Sequence, residues 1–230
     1  FPLLVFRMIT LSIASGNLAL SAQAYVTYGI ILCGSGDIEA GYQFGTLATR
    51  LIEKMNARHL KASVTYMVQT FIRHWQEHSR KTLPLLLEGY SAGLETGDIL
   101  FGAFNAQGYG FQAYWSGVEL TGLEHEMTKH SKAMRQLKQE QVFNINEIYR
   151  QFVHNLLGRS AHPCRLVGEC CDEEKILSLH PQANSANTLC FIYSCKLVLS
   201  YLFHEYHQAI AQAIEEEKYL DSLRGTAVIP

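Results

Sequence analysis

Apolar residues recur at three- and four-residue steps along most of the chain, the spacing of helix faces rather than of strands. Val26, Ile30 and Cys33 form one series, and Leu47, Leu51 and Met55 a second. Tyr66, Val68, Phe71, Ile72 and Trp75 form a third. A fourth helix is predicted from Thr82, with Pro84 in its first turn, where a missing N–H is harmless, to a stop at Glu95-Thr96-Gly97-Asp98. The next starts at Asp98 and carries Phe101, Phe104, Tyr109 and Phe111 towards Trp115. Residues 118–141 then place Leu120, Leu123, Met127, Met134 and Leu137 at nearly heptad spacing. Further helices are predicted over 145–158, 184–203 and 205–222. No stretch alternates as a strand would, so the fold class expected is all-α.

The breaks between these helices carry their own signals. Gly34, Gly36 and Gly41 beside Asp37 suggest a phosphate loop at first sight. Their spacing matches neither the dinucleotide nor the Walker pattern, no Lys follows, and the residues before them are helical rather than a strand. Gly34 or Gly36 is expected as a left-handed cap, with Asp37 capping the next helix and Glu39 in its first turn. A weak repeat relates Gly41-Tyr42-Gln43-Phe44-Gly45 to Gly89-Tyr90-Ser91-Ala92-Gly93 at a shift of 48 positions, each copy expected on the second helix of a pair. Near the end, a tight turn at His204-Glu205-Tyr206 separates two more helices, with Ala209 and Ala213 on one face of the second. Small residues at helix crossings predict stacked antiparallel hairpins, a single helical-repeat domain over 1–230 with an irregular break at 159–183.

Bulk properties narrow the function. A net charge of −2 provides no basic field, so neither nucleic acid nor an anionic lipid surface is expected as a partner. The most apolar stretch, residues 2–33, is interrupted by Arg7, Ser15, Gly16, Asn17, Ser21 and Gln23, which defeats a membrane span. The six cysteines, at 33, 164, 170, 171, 190 and 195, are too few and too uneven for a secreted disulfide scaffold. Free thiols, a cytoplasmic location and an excerpt of a longer protein are expected.

The stretch Tyr25–Lys54 resembles a divergent tetratricopeptide repeat, with Gly29 at the small position of the first helix, the turn at Gly36-Asp37, and Ala40 or Gly41 and Ala48 on the second. The wider run, marked by CGSGDIEAGYQFGTLA, FIRHWQEH, LLEGYSAGLETGD, RQFVHNLLG and EEKYLDSL, is similar to the helical region that follows the AAA-type ATPase domain in large bacterial, notably cyanobacterial, signalling proteins. Those proteins join a serine/threonine kinase, the ATPase, this region, a GAF sensor and often a histidine kinase. The resemblance implies a non-catalytic regulatory scaffold whose partners are neighbouring ATPase or sensor domains, or another protein. Kinase or ATPase activity would lie outside these residues.

Candidate chemistry is sparse. His204-Glu205-Tyr206-His207 is one residue short of the H-E-x-x-H zinc motif, His125 and His130 fall on different helix faces, and no Glu precedes a His by three positions. The densest ligand cluster, His162, Cys164, Cys170, Cys171 and His180, lacks the usual CxxC spacing and reads as an irregular linker rather than a zinc site. No nucleophile elbow is read in Ser91–Gly97, which falls at a helix end. No cofactor is expected. The aromatic stripe that includes Phe104, Tyr114 and Trp115 serves the core of a repeat or, as the alternative function, lines a pocket for a small apolar effector. An apolar face on an unpaired terminal helix would allow a homodimer.

Overall fold

A computed structural model describes residues 2–178 and 186–220. These residues are helical, and among them there is no strand, only an isolated antiparallel bridge between Val167 and Asp172. They form two compact units that divide between Ser116 and Gly117.

The first unit contains α1 (Pro2–Ser15), α2 (Ser21–Gly34), α3 (Ile38–Lys54), α4 (Lys61–Phe71), α5 (Thr82–Thr96) and α6 (Ile99–Trp115). Short 3-10 turns at Arg58–Leu60, Arg73–Trp75 and Ser79–Lys81 connect the middle helices. The second unit contains α7 (Leu120–Gln136), α8 (Glu140–Leu156), the single-turn α9 (Glu173–Ser178), α10 (Ala186–Leu202) and α11 (Tyr206–Glu217).

One corner recurs in both units. A left-handed residue is followed by one near φ −85°, ψ 65°, and the next helix begins at once. Gly36 (φ 95°) precedes Asp37 (−86°, 70°), and Gly97 (80°) precedes Asp98 (−82°, 64°). In the same way Lys138 (56°) precedes Gln139 (−91°, 63°), and His204 (66°) precedes Glu205 (−86°, 59°). The backbone closes several of these corners with a six-residue hydrogen bond. Asp37 donates to the Leu32 carbonyl at 2.9 Å, Gln139 to Met134 at 2.9 Å and Glu205 to Ser200 at 2.8 Å, satisfying helix-end carbonyls. Asp37 and Asp98 then accept from the N–H three residues on, Ala40 at 3.2 Å and Phe101 at 3.4 Å.

Two boundaries differ from the sequence expectation. The helix expected over 118–141 stops at Gln136 and Lys138 turns left-handed, so α8 starts at Glu140, five residues before the expected 145. Neither Gly nor Pro marks that turn. The 48-residue repeat also pairs unlike positions, because Gly41 and Gly45 lie on the second helix of a hairpin while Gly89 and Gly93 lie on α5, the first helix of the next. The matching corners are Gly36-Asp37 and Gly97-Asp98, with Gly41 and Gly102 four residues after each Asp.

Those glycines set the hairpin spacing. A Cβ on Gly93 would stand 2.6 Å from the Gly102 Cα and 2.8 Å from the Asp98 carbonyl oxygen, so α5 and α6 touch backbone to backbone. On the other hairpin, a Cβ on Gly29 would stand 2.8 Å from the Gly41 carbonyl oxygen. Side chains of α6 then fix its register on α4. Asn105 donates to the Ala62 carbonyl at 2.9 Å and Gln112 to the Gln69 carbonyl at 3.2 Å. Both donors and both acceptors are two helical turns apart, so α4 and α6 run parallel with α5 antiparallel between them. The apolar core beneath includes Val26, Val64, Val68 and Ile72, each almost fully buried.

In the second unit α8 is the centre. Every residue from Ile145 to Asn155 is buried, so its polar side chains find partners inside the protein. Asn155 donates to the carbonyls of Pro163 (2.9 Å) and Arg165 (2.7 Å), and the Gln151 side-chain oxygen accepts from the Cys170 N–H at 3.1 Å. These bonds hold the irregular segment before α9 against the helix.

Gly93→Ala forces backbone apart and is expected to lower stability by about 1–3 kcal/mol. Gly34→Ala, whose Cβ meets nothing within 4 Å, is expected to raise it by about 0.5–1 kcal/mol. Thermal unfolding followed by circular dichroism measures both. Equal effects would contradict the close α5–α6 approach.

Candidate functional site

Two places gather polar groups. The first is a groove of about 440 Å³ in the first unit. Its floor is one face of α4 and its continuation, where Lys61, Thr65, Gln69 and Arg73 follow one another at four-residue steps. Thr49, Ile52 and Glu53 of α3, with Asn56 in the turn after it, form one wall, and Leu85 and Glu88 of α5 the other. Lys61 reaches across to Glu88 at 3.1 Å, an exposed pair worth little on its own. Arg73 is held by Glu77 at 3.3 Å, and the Tyr42 hydroxyl donates to the same carboxylate at 2.5 Å. The Tyr42 hydrogen bond, with Arg73 and Lys81 nearby, keeps the Glu77 carboxyl below the usual range. Gln69 is 4% exposed, and its side-chain oxygen has no hydrogen-bond partner among the described residues.

The second is a buried charge cluster between α7 and α8. Arg150 donates to both oxygens of Glu147, at 3.0 and 2.8 Å, and to the Thr128 hydroxyl at 2.8 Å. Ser131 donates to Glu147 from α7. Glu124 accepts from Thr128 at 2.7 Å and meets His154 Nε2 at 3.1 Å, with Arg159 at 3.6 Å. Burial alone would push the Glu124 carboxyl up. The Thr128 and His154 hydrogen bonds and the charges of His154 and Arg150 outweigh it and bring the pKa down to about 2.

Cys170, His154 and Glu124 meet here in the order of a nucleophile, a base and an orienting acid, so the geometry is decisive. The Cys170 sulfur lies 3.8 Å from Nδ1 and 3.8 Å from Nε2 of His154. Equal distances centre the sulfur between the two nitrogens rather than on the lone pair of either. Burial also pushes the thiol up to about 12, so it stays protonated at neutral pH. This arrangement packs a thiol on an imidazole and does not activate it.

The sequence candidates fall elsewhere. His162 is exposed and Cys164 is buried. Cys171 is buried, its thiol raised to about 12 by that burial, and His180 lies outside the described residues. Among the described residues no group of three or more His, Cys, Asp or Glu could hold a metal ion. Phe104 stacks on Tyr66 with ring centres 5.1 Å apart and meets Phe101 at 5.8 Å. Tyr114 and Trp115 pair edge to face at 5.0 Å, and Trp115 is 55% exposed. Helix rise separates Phe104 from that pair by about 15 Å along α6. Gly89-Tyr90-Ser91-Ala92-Gly93 has the G-x-S-x-G spacing of a nucleophile elbow. It lies within α5 rather than on a strand-to-helix turn, and Ser91 donates to the Leu87 carbonyl at 3.1 Å.

No family model matches the chain, and no solved structure matches it. Over 164 residues, 70% of this chain, it is 21% identical to hybrid signal transduction histidine kinase G of Dictyostelium discoideum. It is similar to part of a signalling protein. The matched segment spans only 5% of that kinase.

Sequence signals for both places exist in retrospect. Polar residues at 61, 65, 69 and 73 form a ladder on one helix face. Asn146, Glu147, Arg150, Gln151, His154 and Asn155 repeat at helical spacing in a helix otherwise rich in core residues.

The depressed Glu124 pKa makes a pH prediction. Because the folded value lies below the ordinary 4.5, its stabilisation is complete above that value and is lost as pH falls towards 2. Glu124→Gln is expected to be less stable than wild type at pH 7 by on the order of 3 kcal/mol, with the gap closing by pH 2–3. Urea unfolding at both pH values tests it, and a gap independent of pH would refute the assignment.

Proposed function

We propose that the chain is a non-catalytic interaction scaffold of a larger signalling protein, a right-handed stack of helical hairpins akin to tetratricopeptide repeats. The observation that carries this reading is the groove over α4. It offers Lys61, Thr65, Gln69 and Arg73 in register between α3 and α5, with the Gln69 acceptor unmatched. A groove of this size and mixed chemistry suits a segment of a partner protein or a neighbouring domain. The likeness to a signal transduction histidine kinase supports the signalling setting. Cys170 set equally far from both His154 nitrogens and Ser91 bonded within its own helix support a non-catalytic role.

In this reading the scaffold couples nucleotide-dependent movement of an ATPase domain to a sensor. The gene is expected to encode a nucleotide-binding domain ahead of the chain. Calorimetric titration of the chain with that domain should show binding that depends on ATP. The pair Lys61→Glu and Gln69→Ala should weaken it roughly tenfold, about 1.4 kcal/mol, with helicity unchanged. Absence of binding with and without ATP would overturn the coupling.

A further inference from the structure

Charges at one end of the α4 groove are unbalanced, and the imbalance points to a partner chemistry. The groove continues into a second one of about 700 Å³ along α5, between Pro84 and Thr96. The two share Arg58, Lys61 and Glu88. Arg58 is exposed at that junction. Arg50 and Lys54, one turn apart on α3, stand exposed beside the wall that carries Thr49 and Glu53. Among the described residues Arg50, Lys54 and Arg58 form no ion pair, and Lys61 is paired with the exposed Glu88. Four cations therefore meet two acids here, Glu53 and Glu88, in a chain whose net charge is −2. Glu95, the other acid of the second groove, lies two turns beyond Glu88 on α5. An exposed Lys–Glu pair contributes little, so Lys61 can exchange Glu88 for an incoming carboxylate at small cost.

The groove floor bears on the form of that partner. Lys61, Thr65, Gln69 and Arg73 recur every four residues, about 6 Å along the helix. Same-side groups of an extended chain recur every two residues, about 6.7 Å. Successive floor groups can thus meet successive backbone groups of a strand-like segment. Such a segment has free N–H and C=O groups for Thr65 and Gln69, which a helix has already used on itself. Among the described lining residues there is no aromatic ring on which a nucleobase could stack, and Glu53 and Glu88 would oppose a row of phosphates.

We propose that the groove takes an extended acidic segment of a partner polypeptide. Its carboxylates meet Arg58 and Lys61, with Arg50 and Lys54 alongside, and its backbone lies on Thr65 and Gln69. This rests on the scaffold reading and gives its partner a chemistry. The probe is a capped ten-residue Ser-Glu repeat carrying a neutral dye, titrated with the whole chain and followed by fluorescence anisotropy. Binding in the micromolar range is expected at about 50 mM salt, weakening roughly tenfold by about 300 mM. The double change Arg50→Glu and Arg58→Glu should abolish it with helicity unchanged. Thr65→Val, which keeps the side-chain shape, should weaken it about threefold and leave the salt dependence as it was. A Ser-Lys repeat should not bind, and a ten-nucleotide thymidine strand should bind about tenfold more weakly or worse.

No binding of the Ser-Glu repeat, binding retained by the double variant, indifference to Thr65→Val, or equal binding of the Ser-Lys repeat or the thymidine strand would each overturn the proposal. Titrating the nucleotide-binding domain with the same double variant separates the two readings. Domain binding unchanged by the double variant keeps the scaffold and removes the acidic segment. Repeat-peptide binding without domain binding keeps the acidic segment and removes the ATPase coupling.

Discussion

Buried side-chain amides pin this protein's helices to the segments packed against them. Asn105, Gln112, Gln151 and Asn155 are each at most 2% exposed, and each reaches a backbone group of another segment. An amide taken out of water must find partners or forfeit a kilocalorie or more. Apolar packing alone would tolerate small slides between helices. The amides remove that freedom, because a slide would strand both the donor and the carbonyl it serves.

Around these bonds the two units solve the same problem differently. In the first, glycines bring backbones into contact, and α5 lies against α6 with no side chain between Gly93 and Gly102. In the second, α8 is enclosed on every side, so its charges pair within the interior. Such buried pairs add less net stability than their short distances suggest, since desolvation offsets attraction. Removing one member is far more damaging than never having had the pair.

The helical class was legible because the apolar spacing is consistent from Val26 to Leu202. Corners were legible where chemistry announces them, at Gly36-Asp37 and Gly97-Asp98. They were hidden at Lys138, where an ordinary residue adopts a left-handed backbone, so the break between α7 and α8 falls earlier than the one expected after 141. The polar places were hidden for a different reason. Lys61, Thr65, Gln69 and Arg73 look like a solvated face until α3 and α5 supply walls, and Glu124 meets His154, thirty residues away in sequence, only once α7 and α8 fold together. Phe104 stacks on Tyr66 of α4, a contact between helices that the spacing along α6 alone does not show.

The parallel register of α4 and α6 has a mechanical consequence. Two bonds spaced by the same two turns on both helices act like teeth of a rack, so any displacement along the axis releases both together or neither. Gentle loads would pass through α4, α5 and α6 as through a rigid strut. Deformation would concentrate instead in the short 3-10 turns between Arg73 and Lys81, where the chain has fewer regular bonds to lose.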